Sequence, residues 1–146
     1  LELLRAANPA VLAVLPESHP LAGRPTLALH ELRTERLVLL DPAQAPSFRG
    51  LVTQVCRQAG FKPKFGPTAP SVDGMMALVA AGEGVCFTLE PLVRPGHAGV
   101  RVVATDCAPF DLYVVWLKDR TSELVRQCTT ILRAQLAAGS GGLDGP

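Results

Sequence analysis

Residues 10 to 15 read Ala-Val-Leu-Ala-Val-Leu, an unbroken apolar run closed by Pro16 and a polar, turn-rich stretch from Glu17 to Pro25. A run this short has the length of a strand, and with no polar residue alternating through it both faces should be buried. Such a strand needs covering layers, and the chain supplies candidates for them. Leu37 to Leu40 (LVLL) is a second buried strand ending at Asp41 and Pro42, with one or two helical turns around Leu29 and Leu32 before it. From Ser47, a residue suited to capping, Phe48, Leu51, Val52, Val55, Cys56 and Ala59 fall on one face of a helix that Gly60 ends. A short strand is expected around Lys64 and Phe65. Ser71 then caps a second helix, with Met75, Leu78, Val79 and Gly82 on its buried side and Gly82 as its stop.

The remaining elements follow the same alternation. Val85 to Leu89 reads as a strand, Val100 to Val103 as a weaker one and Leu112 to Leu117 (LYVVWL) as a strong one. A last helix over about 121 to 136 repeats Leu124, Val125, Cys128, Ile131, Leu132 and Gln135 every three to four residues, and Gly139 to Pro146 reads as a disordered tail. Strands alternating with amphipathic helices imply an α/β fold with a mainly parallel sheet covered on both faces. The strand at 112 to 117 and the last helix find no evident sheet of their own to join.

Composition narrows the function classes. A formal net charge of +1 leaves no excess of cations for a phosphate backbone, so this stretch alone is not expected to contact DNA. No run approaches the roughly 18 apolar residues of a membrane span, and Leu1 to Arg5 lacks a secretory-signal layout, so a cytoplasmic location and no membrane partner are expected. Cys56, Cys86, Cys107 and Cys128 form no CxxC pair and lie in apolar stretches, which suits reduced, buried thiols. His19, His30 and His97 sit in loops or short turns without metal spacing. No GxSxG, Walker or GxGxxG pattern is present, so no catalytic residue, metal or cofactor is expected. The start at Leu1 suggests a fragment or a processed product.

Two local features bear on binding. Strand, Asp41-Pro42, loop and Ser47-headed helix place a helix N-terminus just after a strand's carboxyl end, where open α/β sheets bind ligands; equally, Ser47 serves only as a cap. Ser71 stands in the same relation to the strand near Phe65. Leu78 to Val85 (LVAAGEGV) has a sufficient mechanical reading: Ala80 and Ala81 let the helix lie close to the sheet, Gly82 stops it, and Gly84 permits sharp re-entry into a strand.

The wording of these segments nevertheless resembles the effector-binding domain of LysR-type transcriptional regulators. Leu15 to Ala22 (LPESHPLA) is similar to that family's LPxxHPLA segment. Leu27 to Leu32 followed by Leu37 to Leu40, Phe48 to Phe61 with Cys56-Arg57 and Ala59-Gly60-Phe61, Leu78 to Val85 against LVAAGxGV, and Leu112 to Trp116 with the last helix follow in the family's order. The likeness covers about residues 10 to 136. It implies a fold like the type 2 periplasmic binding proteins, with two α/β lobes and an effector in the cleft between them. On that reading residues 1 to 16 end the first lobe and form a hinge strand, 17 to 85 make a complete second lobe, 86 to 136 return to the C-terminal part of the first lobe, and 137 to 146 are the tail. The family's winged helix-turn-helix and the early part of its first lobe have no counterpart among these residues.

By the same resemblance the second lobe's effector contacts fall on Asp41, Pro46, Ser47, Phe48, Ser71 and Thr88, with Phe87 and Thr88 narrowing or polarising the pocket. His19-Pro20 is a structural turn. The implied ligand is a small metabolite, expected to be anionic; the implied assembly is a homodimer or homotetramer; DNA is reached only through the domain not present here. A solute-binding protein of the same fold, an enzyme on that fold and a non-functional remnant are the alternatives.

Overall fold

In a computed structural model, residues 1–90, 96–118 and 122–139 are described. They gather into two compact units, one formed by the described residues of 9–109 and the other by residues 1–8 with the described residues of 110–139. Eight strands and three α-helices occur among the described residues. They are β1 (Glu2–Ala7), β2 (Val11–Pro16), β3 (Thr26–Leu27), β4 (Arg36–Leu40), α1 (Phe48–Gln58), β5 (Lys64–Ala69), α2 (Val72–Ala80), β6 (Cys86–Leu89), β7 (Val100–Thr105), β8 (Leu112–Trp116) and α3 (Glu123–Gly139). A 3-10 turn spans Leu29–Leu32.

The run that opened the sequence, as β2, is the inner strand of the larger unit. Val11, Ala13, Val14 and Leu15 are buried, and the strand lies between β6 and β7 in the order β3-β7-β2-β6. Ala13 faces Phe87 on one side and Val103 on the other. The sheet is not mainly parallel, as the alternation of strands and helices had implied. β2 is antiparallel to both neighbours, because β2 brings the chain into this unit and β7 takes it out alongside. Parallel pairing is confined to β3 with β7, β4 with β5, and a bridge from Leu37 to Val85 at the start of β6. β7, read from sequence as part of the return to the first lobe, is hydrogen-bonded along β2 within residues 9–109.

β4 carries helices on both faces. Val38 joins Met75, Met76 and Val79 of α2, together with Val14, Ala69 and Cys86, in one buried cluster. The alternating residues Leu37 and Leu39 are buried on the other side, where α1 packs on β4 and buries Val52, Val55 and Cys56. In the helix-to-strand turn the mechanics differ from the sequence reading in one respect. Ala80, Ala81 and Gly82 are exposed, so close approach to the sheet comes from Met75, Met76 and Val79. Gly82 ends the helix at φ +82°, and Gly84 at φ +155° passes so near Arg36 that a Cβ there would stand 2.3 Å from its carbonyl oxygen.

In the smaller unit β8 has a partner that sequence reasoning missed: β1 pairs with it antiparallel, from Glu2 opposite Trp116 to Ala7 opposite Leu112. α3 lies against β1. Its expected apolar stripe is largely open, with Leu124 69% and Ile131 61% exposed. The expected tail from 140 to 146 lies outside the described residues.

Candidate functional site

β4 and β5 run parallel, and each delivers the chain to a helix at the same edge of the sheet. The backbone amide of Asp41, just past β4, donates to the carbonyl of Ala69 at the end of β5 at 2.8 Å, so the two exits are adjacent. α1 and α2 therefore start side by side at the carboxyl edge. β6 leaves its bridge to Leu37 in the same direction as β4, which carries Thr88 toward that edge.

The residues expected to bind an effector occupy different roles there. Asp41 is half-buried, and its Oδ1 accepts from the amide of Ala43 at 2.8 Å, so the carboxylate shapes the turn into α1. Pro46, Ser47 and Phe48 line a hollow of about 510 Å³ with Ala45, Leu51 and Gln54. Ser47 heads α1 but does not cap it: its backbone is helical (φ −86°, ψ −10°) and its hydroxyl makes no capping hydrogen bond. A cap needs an extended residue whose side chain can turn back on the amides two or three positions on, and Ser47 is already wound into the preceding turn. Its exposed hydroxyl is left for other contacts. Phe48 is half-buried, one part packed on the core cluster of α2 and another facing the hollow.

Ser71 is extended (φ −153°, ψ 166°), and its hydroxyl accepts from the amide of Gly74 at 3.0 Å. It is a working cap. Thr88, opposite Leu12 in β6, is only 5% exposed and shares the face of Cys86 through the pleat. The six residues thus share one unit and one edge region but make no hydrogen bonds to one another among the described residues. Leu51, read in sequence only as part of the apolar face of the helix, and Gln54, not singled out there, complete the hollow; their spacing of three and six from Phe48 was the available signal.

Electrostatics separate the two helix starts. α2 has Asp73 in its first turn, whereas α1 has no acidic residue in its first turn and carries Arg49 there. An anion is accordingly less opposed at the α1 start, where the helix dipole acts with no carboxylate beside it. His19 belongs to a turn, since its Nδ1 accepts from the amide of Leu21 at 3.1 Å. Among the described residues no three His, Cys, Asp or Glu side chains converge as around a metal ion, and no helix is long and apolar enough to cross a membrane.

The cysteines divide. Cys56 and Cys86 are buried, Cys107 is half-buried and Cys128 is exposed, so only two of the four have the buried setting expected for all. Burial pushes the Cys56 thiol up to about 11, with a smaller contribution from Cys107, and Cys86 up to about 12.

Comparison with known proteins decides the family. The LysR substrate binding domain profile matches residues 2–137. The chain belongs to that family. A transcriptional regulator of Bacillus subtilis (strain 168), AlsR, is 33% identical over 81 residues, 56% of this chain and 26% of its own length. This LysR-family chain thus spans about a quarter of that relative's length. A LysR family regulator from Pseudomonas aeruginosa superposes with TM-score 0.73 at 26% identity, covering 93% of this chain and 49% of its own. The effector binding domain of QuiR in complex with shikimate reaches 0.78 at 19% identity, covering 97% of this chain and 66% of that one, a likeness of fold. The periplasmic-binding-protein-like α/β fold implied by the sequence resemblance is the fold found.

Proposed function

We propose that this LysR substrate-binding chain senses a small metabolite and thereby tunes transcription through a DNA-binding domain outside these residues. The observation carrying this reading is the shared carboxyl edge of β4 and β5, where two helices begin beside a hollow lined by Ser47 and Phe48. The effector is an anion with an apolar or ring portion: the α1 start, free of acidic side chains, holds its charged group with the uncapped Ser47 hydroxyl, and Phe48 packs against its carbon frame. Thr88 supplies a hydroxyl on the strand beside it, Asp41 and Pro46 shape the loop, and Ser71 holds α2 in place.

In this proposal β2 and β6 are the crossing strands, with the lobe boundaries near residues 16, 85 and 136. The protein works as a homodimer or homotetramer in the cytoplasm and does no chemistry. Relatives that are regulators, and a solved domain of this fold holding shikimate, support the reading.

Calorimetric titration with carboxylate metabolites, shikimate among them, followed by an assay for turnover, tests it. Saturable binding without product, weakened about tenfold in Ser47→Ala or Phe48→Ala, is expected. Product formation overturns the sensor reading; binding indifferent to both substitutions overturns the site.

A further inference from the structure

Between Asp41 and Asp73 the chain contains no acidic residue, yet it contains Arg49, Arg57, Lys62 and Lys64. The fold brings three of these cations, Arg49, Arg57 and Lys62, to one place. Arg49, Thr53 and Arg57 recur every four residues along α1, so they form one stripe, exposed at both arginines and half-buried at Thr53, turned away from the Phe48, Leu51 and Gln54 side. The turn after α1 adds Gly60, Phe61, Lys62 and Pro63, and β5 adds Phe65. Together these residues enclose a cleft of about 790 Å³. Its floor is apolar, from the two phenylalanines, and its rim is cationic.

The cations are unmatched. None of Arg49, Arg57, Lys62 and Lys64 forms an ion pair with a carboxylate among the described residues, although ion pairs occur elsewhere, as between Arg101 and Glu17. Arg49 instead lies over the ring of Phe65, 4.1 Å from its centre. Contact with the ring face occupies the guanidinium without satisfying its N–H donors, which can still grip a carboxylate in two-pronged fashion.

We propose that this cleft docks an acidic peptide segment of a partner protein, carboxylates on the rim and an apolar side chain on the phenylalanine floor. Charge complementarity selects the occupant. A duplex would need a broader field of cations than three and has no use for an apolar floor, and the chain as a whole carries only +1. A small anion would leave part of so wide a rim unfilled. The residues lining this cleft are distinct from those lining the hollow at Ser47 and Phe48, so the two proposals are tested by different substitutions.

Fluorescence anisotropy with a labelled Glu-Glu-Phe-Glu-Glu-Leu peptide tests the proposal on the intact chain. Saturable binding is expected, about tenfold weaker in Arg57→Glu and again in Lys62→Glu, and falling as salt rises. Arg33→Glu, an exposed cation elsewhere with the same change of net charge, is expected to leave binding as it was, and circular dichroism should show all three variants folded. No saturable binding, equal weakening by Arg33→Glu, or equal binding of the Lys-Lys-Phe-Lys-Lys-Leu peptide overturns the proposal. Displacement by citrate, or tighter variant-sensitive binding of duplex DNA, reassigns the cleft and overturns it as well.

Discussion

Gly82 and Gly84, two residues apart, answer different demands, and substitution separates them. At Gly82 the backbone is left-handed but nothing lies within 4 Å of a added Cβ, so Gly82→Ala meets only the conformational cost, about 1–2 kcal/mol. At Gly84 the added carbon would collide with the Arg36 carbonyl, which is fixed in β4, and the strand would have to shift. Gly84→Ala is therefore expected to cost about 2–4 kcal/mol, visible as a lower midpoint in urea, and equal costs for the two would refute the close approach. The thiols give a second residue-scale test. Cys56 and Cys86 stay protonated well above the ordinary thiol range, so a thiol reagent at neutral pH should label the exposed Cys128 first and these two only on unfolding. Because their folded values are raised, the stability they support is whole below about 9, the ordinary thiol value, and is lost as pH climbs toward about 12. An alkaline limb in the stability profile that shrinks in Cys86→Ala, measured relative to each protein's own neutral value, is the expected sign.

Ser47 and Ser71 make the corresponding comparison between elements. Both precede a helix after a parallel strand, and in sequence both read as caps. Only Ser71 accepts a hydrogen bond from its helix, so Ser71→Ala should lose about 1 kcal/mol while Ser47→Ala stays within about 0.5 kcal/mol by thermal melting. Cap identity is a matter of φ and ψ, which the residue type does not carry. What periodicity could read, it read: β2, β4, α1, α2 and β6 stand within a residue or two of expectation because their apolar spacing is set by the core each one faces. β1 escaped notice because its side chains are half-buried at best, so Glu2, Leu3, Leu4 and Arg5 show no hydrophobic alternation; its register is fixed by β8, more than a hundred residues away. Of the site, the two helix starts were legible as strand-loop-helix junctions, whereas the adjacency of Asp41 to Ala69 depends on strand pairing, and Gln54 enters only through the helical turn.

At the scale of the whole molecule the two units differ in how completely they are built. Residues 9–109 enclose a four-stranded sheet and a parallel pair covered by two helices. Among the described residues the smaller unit has a two-stranded sheet and one α-helix, and Leu3, Val115, Leu117, Leu124 and Ile131 are at least half exposed. Two strands and a helix bury too little apolar surface to be strongly stable alone, and an amphipathic helix with its stripe open lacks most of the packing that normally holds it. Local stability should follow that division. Native-state hydrogen exchange should protect the amides of β2 most, since that strand is buried and flanked on both sides, while amides of β1, β8 and α3 should exchange orders of magnitude faster through openings that leave residues 9–109 intact. A dye that fluoresces on apolar surface should bind the native chain, and Leu124→Glu with Ile131→Glu should reduce that signal without shifting the main unfolding midpoint. Equal protection in β1 and β2 would show that the smaller unit unfolds only with the larger one, and would give the open stripe on α3 no part in setting its stability.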